Sequence, residues 1–181
     1  VKIYGVGSWI GDETSSGGEQ EEEEGEGSSE GGTPIFSFFD DFKDGLSGWF
    51  LWGDSEGYSI EVDKKSGSPS PALHVYGNGE NGALVGAAKT VQVDESAPYN
   101  LSFDYRVHAK QKKSPTLTLW LRIEDSQGNI LVSDTICEIE NSDSGWNSFS
   151  TTLPQTSGEI TIIIYMEDVV TKYHQEFWLD N

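Results

Sequence analysis

Trp120 lies in "TLTLWLRIED", where Leu117, Leu119, Leu121 and Ile123 alternate with Thr118, Trp120, Arg122 and Glu124. Alternate residues of a strand face opposite ways, so this spacing puts an indole on a polar face beside a guanidinium and a hydroxyl. An outward aromatic ring flanked by polar hydrogen-bonding groups is the arrangement that stacks on a sugar ring and reads its hydroxyls. Trp52, Tyr58 and Tyr165 are the other aromatics that this reading adds to Trp120 and Arg122.

Other chemistry finds little support. The histidines, His74, His108 and His174, lie in separate segments, and no Cys or His spacing resembles a zinc site. Asp40 and Asp41 are adjacent, so in a strand they point to opposite faces and do not flank one glycosidic bond. The serines of "GVGSW" and "GDSEG" lack a nucleophile-elbow pattern and a strand–turn–helix context. The expectation is a protein that is not an enzyme. Cys137 is the only cysteine, read as a lone buried thiol in a strand, and an intrachain disulfide is excluded. "NLS" makes Asn100 an N-glycosylation sequon, relevant outside the cytosol.

A net charge of −20 disfavours nucleic acid and anionic lipid, whose phosphates it would repel, and favours cations, above all calcium. No apolar run of membrane-spanning length occurs, so membrane insertion is not expected.

The elements that must position these residues are strands. "YNLSFDYRVHA" sets Tyr99, Leu101, Phe103, Tyr105 and Val107 on one face and Asn100, Ser102, Asp104, Arg106 and His108 on the other. "EITIIIYMED" is apolar on both faces, which predicts a central strand, and "SQGNI" predicts a hairpin turn. Residues 1–6 read as an N-terminal strand, residues 7–34 as an acidic Gly/Ser/Glu linker, and residues 35–181 as the folded domain. The linker composition predicts a solvated, flexible segment; the alternative is a segment ordered by divalent cations. The fold class is all-β: an antiparallel β-sandwich of jelly-roll type with a donor-type strand at its N-terminus.

Four motifs occur in order: "FFDDFKDGLSGWFLW", "KKSGSPSPALHVYG", "GWNSFSTTLP" and "FWLDN". Together they resemble the galactose-binding-like jelly rolls of the carbohydrate-binding-module families. The resemblance covers residues 36–181 and, permuted, residues 1–6. It implies a structural Ca²⁺ near the junction of first and last strands, with Asp40 or Asp41, a backbone carbonyl near Lys65 and Asp180 as ligands. It also implies that Trp49, Trp146 and Trp178 pack in the core.

Joined end to start, "FWLDN" and "VKIYGV" make one amphipathic strand. The jelly roll then needs Val1, Lys2, Ile3, Tyr4, Gly5 and Val6 beside Phe177 and Leu179 to close it. Three donors satisfy that need: the same chain, a neighbouring copy, or the next repeat of a tandem array. The functional expectation is an extracellular or cell-surface structural subunit, joined head to tail to copies of itself by strand complementation and stiffened by calcium. Two alternatives stand beside it: a module that binds polysaccharide through an aromatic sheet face, and a monomeric, circularly permuted adhesive or spacer domain.

Overall fold

In the computed structural model, residues 1–5, 37–67, 71–77, 82–94, 98–109, 116–140, 143–167 and 175–180 are described. Val6, Asn181 and the acidic linker predicted at 7–34 lie outside the described residues. Every regular element among the described residues is a strand, and the strands form two antiparallel sheets. The predicted β-sandwich jelly roll is therefore the observed fold.

The smaller sheet has five strands in the order β3 (Phe50–Gly53), β6 (Leu84–Val93), β11 (Gly158–Glu167), β8 (Leu117–Asp125), β9 (Ile130–Ile139). β11 is central, as its doubly apolar sequence requires: Ile160, Ile162, Ile164 and Met166 face the core, and the outward Ile163 is also fully buried. The β8–β9 hairpin turns at Gly128, whose φ of 81° suits glycine, and Asp125 accepts hydrogen bonds from the amides of Gln127 and Asn129.

The larger sheet runs β2 (Ser37–Phe39), β1 (Lys2–Gly5), β7 (Tyr99–Ala109), β12 (Gln175–Asp180), β5 (Ala72–Gly77), β4 (Tyr58–Asp63), with β10 (Asn147–Thr152) also on β7. β12 pairs with β7 from Asp104 to Ala109, and β1 pairs with the same strand from Tyr99 to Ser102. The two short strands thus lie end to end along one edge of β7, while β10 takes the other edge. At the join, the Val1 nitrogen donates to the carbonyl oxygens of Asp180 and Asp40, at 3.1 and 2.9 Å. Val1 and Ile3 are buried, a contribution of about 1.5–3 kcal/mol each on transfer scales.

The core is the space between the sheets. Tyr99, Leu101, Phe103, Tyr105 and Val107 of β7 face Leu117, Leu119, Leu121 and Ile123 of β8 and the isoleucines of β11 across it. One charged group enters at its margin. Lys89 of β6 has the same inward parity as Ala87 and Val91, and its ammonium donates to Asp40 Oδ2 at 2.9 Å and to the Ser47 carbonyl. The same ammonium lies 3.9 Å from the Phe38 ring centroid, and Trp49 Nε1 donates to the same Asp40 oxygen at 2.7 Å. A carboxylate, a carbonyl and a π face together hold the cation and tie the segment after β2 to the opposite sheet. Removing one partner of a buried pair strands the other, so Lys89→Met is expected to cost about 3 kcal/mol in urea denaturation; an unchanged midpoint would contradict this role.

Candidate functional site

The outward residues of the five-stranded sheet are fixed by register. Trp52 pairs with Gly86, Gly86 with Tyr165, and Tyr165 with Trp120, so one straight row crosses β3, β6, β11 and β8. Neighbouring strands are about 4.8 Å apart, which suits Tyr165 and Trp120, whose ring centroids are 5.4 Å apart with planes at 27°. Trp52 is two strands from Tyr165, or about 10 Å at the backbone, yet those centroids are only 5.3 Å apart at 53°.

Gly86 supplies the gap. A Cβ at this position would lie 2.1 Å from the Ile164 carbonyl oxygen and 2.6 Å from the Tyr165 Cα, so β6 and β11 approach here more closely than any side chain permits. With nothing projecting between them, the rings of Trp52 and Tyr165 meet over the glycine. All three rings are half-exposed, ready to offer a face.

A second row lies beside this one: Phe50, Ala88, Ile163 and Arg122 in register. The Arg122 guanidinium is paired to Glu124, two residues along the same face. Beyond them the hydroxyls of Thr90 and Thr161 bond to each other at 3.1 Å. Of the residues singled out from sequence, Trp52, Trp120, Arg122 and Tyr165 are thus brought together. Tyr58 is not: it is a buried member of the inter-sheet core. Its strand, "YSIEVD", alternates too weakly for a sequence reading to tell inward from outward.

The outer face of the larger sheet carries aromatics of another kind. Glu61, His74, Trp178 and Arg106 form a cross-strand row. The His74 ring stacks on Trp178 at 4.4 Å and 6° and on Tyr76 at 4.6 Å, and Arg106 lies 5.2 Å over Trp178. Trp178, expected in the core, is buried here instead, by its neighbours on the outer face, with Nε1 donating to Asp63 Oδ2. Trp49 is buried as expected, and Trp146 is half-buried.

Glu176 lies between His74 and His108, at 3.0 and 2.6 Å. Burial alone would raise its pKa, but hydrogen bonds and charge from the two imidazoles outweigh that and hold it at about 2. Asp143, held by the Arg106 guanidinium, is likewise lowered to about 2. The rings and charges of this cluster engage one another, whereas Tyr4 and Phe39, farther along the same face, stay exposed.

Of the calcium ligands implied by the resemblance, the aspartates are engaged with other groups. Asp40 spends its carboxylate on Lys89 and Trp49, Asp41 pairs with Lys43 in solvent, and the Lys65 amide donates to Asp63. Asp180 is buried, its carbonyl accepting from the Val1 nitrogen. Among the described residues no group of three or more His, Cys, Asp or Glu gathers to hold a metal ion. Cys137 is half-buried at the core margin, and Asn100 accepts a hydrogen bond from the Thr152 hydroxyl at 2.8 Å.

Residues 37–168 match the family described as a carbohydrate binding domain. The chain belongs to that family. No curated protein matches it. Among solved structures, it is similar to a carbohydrate-binding module of the β-sandwich superfamily described as promiscuous in specificity, at 12% identity and TM-score 0.55, over 77% of this chain and 58% of that one. It is similar also to the C-terminal family 22 module of Clostridium thermocellum xylanase 10B, at 16% identity and TM-score 0.51, over 79% of this chain and 87% of that one. The third is the N-terminal part of the same organism's endo-1,4-β-D-xylanase 10B, solved with xylohexaose, at 17% identity and TM-score 0.50, over 78% of this chain and 26% of that one. At these identities the likeness shows the fold. The chain spans little more than half the length of the first structure.

The family match corrects the functional expectation drawn from the split strand. A carbohydrate-binding domain replaces the filament subunit. With that subunit go the homopolymer of its own copies, donor-strand complementation, self-assembly and calcium stiffening. The physical reason is visible in the larger sheet: β1 makes its ladders with β2 and β7 of its own chain, filling the slot a neighbour's strand was to enter.

Two outcomes check this geometry. Gly86→Ala is expected to lower thermal stability and alter the near-UV circular dichroism of the coupled rings, since its Cβ meets backbone; an unaltered aromatic signal would contradict the close approach. The lowered Glu176 stabilises the fold fully above its ordinary value of 4.5, and that contribution is lost as pH falls through about 2. Glu176→Gln should therefore flatten the decline of melting temperature between those pH values; an unchanged slope would remove Glu176 from the account.

Proposed function

We propose that this domain binds polysaccharide through the outer face of its five-stranded sheet, holding the chain on the row Trp52–Tyr165–Trp120. The observation that carries the reading is that row: three half-exposed rings in contact, in register across four strands. Sugar rings present C–H faces that stack on aromatic rings, and the polar groups beside them fix orientation. Arg122 and Glu124 stand at the flank of Trp120 for that purpose.

The planes of the rings turn by 53° and then 27° along the row. A flat crystalline polysaccharide surface needs coplanar rings. A turning platform fits a single, twisted chain in solution, and this is the ligand form assigned to it. Family membership supports carbohydrate as the ligand class. The role assigned to the domain is binding, which family membership supports; beside the row Arg122 is paired to Glu124, and Glu167 lies past Tyr165 on the other flank. A secreted or cell-surface setting, where polysaccharide is met, goes with this role.

Trp120→Ala is the direct test. Losing one stacking ring costs about 1 kcal/mol beyond the buried area, so affinity for soluble xylan or β-glucan should fall roughly tenfold or more by calorimetry. The melting temperature should hold, because the ring lies outside the core. Wild-type binding that survives the substitution unchanged would refute the face.

A further inference from the structure

Among the described residues, Phe50 is the one aromatic on this face that the row does not use. The residue is 46% exposed, more open than any of the three aromatic residues beside it. It precedes Trp52 by two residues on β3 and so shares its face, displaced along the strand by about 7 Å. The row in which it sits continues through Ala88 and Ile163, both fully buried, to Arg122. No second ring lies on that line, so a chain laid along it would find one platform and then a closed floor. A chain laid along Trp52–Tyr165–Trp120 passes Phe50 at its flank. β3 is also the edge of the sheet, and no described strand lies beyond it. Leu84, exposed on the opposite flank of the row, has no π face to offer a sugar.

We propose that Phe50 is a side-branch subsite. The backbone of the polysaccharide lies on the three-ring row, and a pendant monosaccharide on the residue over Trp52 stacks on Phe50 at the sheet edge. The ligand class is thereby narrowed to a chain bearing single-sugar branches. The proposal rests on the polysaccharide reading of the row, and Phe50 determines preference within it.

The two readings separate in one calorimetric series using linear xylohexaose, arabinose-substituted xylo-oligosaccharides, linear cellohexaose and the xylose-branched oligosaccharides of xyloglucan. The wild type is expected to bind at least one branched ligand about fivefold or more tighter than its linear counterpart. Phe50→Ala should erase that difference while leaving linear binding unchanged, and Phe50→Tyr should restore it. Trp120→Ala should weaken linear and branched ligands alike. Equal losses on linear and branched ligands in Phe50→Ala would make Phe50 part of the main row and overturn the proposal; no effect on either would overturn it too. An effect of Trp120→Ala without a branch preference in the wild type sinks the branch subsite alone. Absence of binding to every ligand overturns both.

Discussion

The pairing of β11 with β6 on one side and β8 on the other is the constraint on which both fold and site depend. One strand buries Ile160, Ile162, Ile164 and Met166 against the opposite sheet and, with the alternate parity, lifts Tyr165 onto the outer face. Register then decides its company: Gly86 on one side, Trp120 on the other. A slip of one residue would send the isoleucines outward and Tyr165 into the core. The hydrophobic energy that fixes the sandwich therefore also aligns the aromatic row, and the site needs no separate device to hold it.

The two outer faces show what makes one of them a binding surface. On the larger sheet, Trp178 has both of its faces occupied, by His74 and by the Arg106 guanidinium, and its N–H is bound to Asp63. Glu176 and Asp143 are held by imidazoles and guanidinium so firmly that both pKa values fall to about 2. Around Trp178 that face has spent its aromatic and polar capacity on itself, leaving the separate Tyr4 and Phe39 exposed on β1 and β2. The smaller sheet keeps three half-exposed rings and the more exposed Phe50, with Arg122 and Glu124 at the margin. Its capacity is left for a ligand.

Much of this was legible in the sequence. The alternation of "YNLSFDYRVHA" and "TLTLWLRIED" gave inward and outward residues without error, and it put Trp120 and Arg122 on the outer face. Tyr165 follows from the doubly apolar β11. What sequence could not reveal was cross-strand register, since which strand neighbours which is a long-range fact. Gly86 carried only the signal of a glycine in a strand, a mark of close backbone approach whose partner no local pattern names. Tyr58 was misplaced because its strand alternates too weakly to tell inward from outward, and Trp178 because its outer-face partners His74 and Arg106 are long-range neighbours. The split strand weighed too heavily toward assembly: a strand divided between chain ends raises the question of its donor, and the family match of residues 37–168 answers the functional question independently of it.

Six tryptophans make the central claim directly measurable, because each indole N–H gives its own resonance and the five among the described residues have distinct places in this fold. Titration of the isotope-labelled domain with a soluble polysaccharide, followed in a nitrogen–proton correlation spectrum, reads which indoles the ligand meets. The account predicts that the Trp52 and Trp120 N–H signals move while those of the buried Trp49 and the enclosed Trp178 stay in place. Shifts centred on Trp178, with Trp52 and Trp120 unmoved, would contradict it and assign binding to the other face.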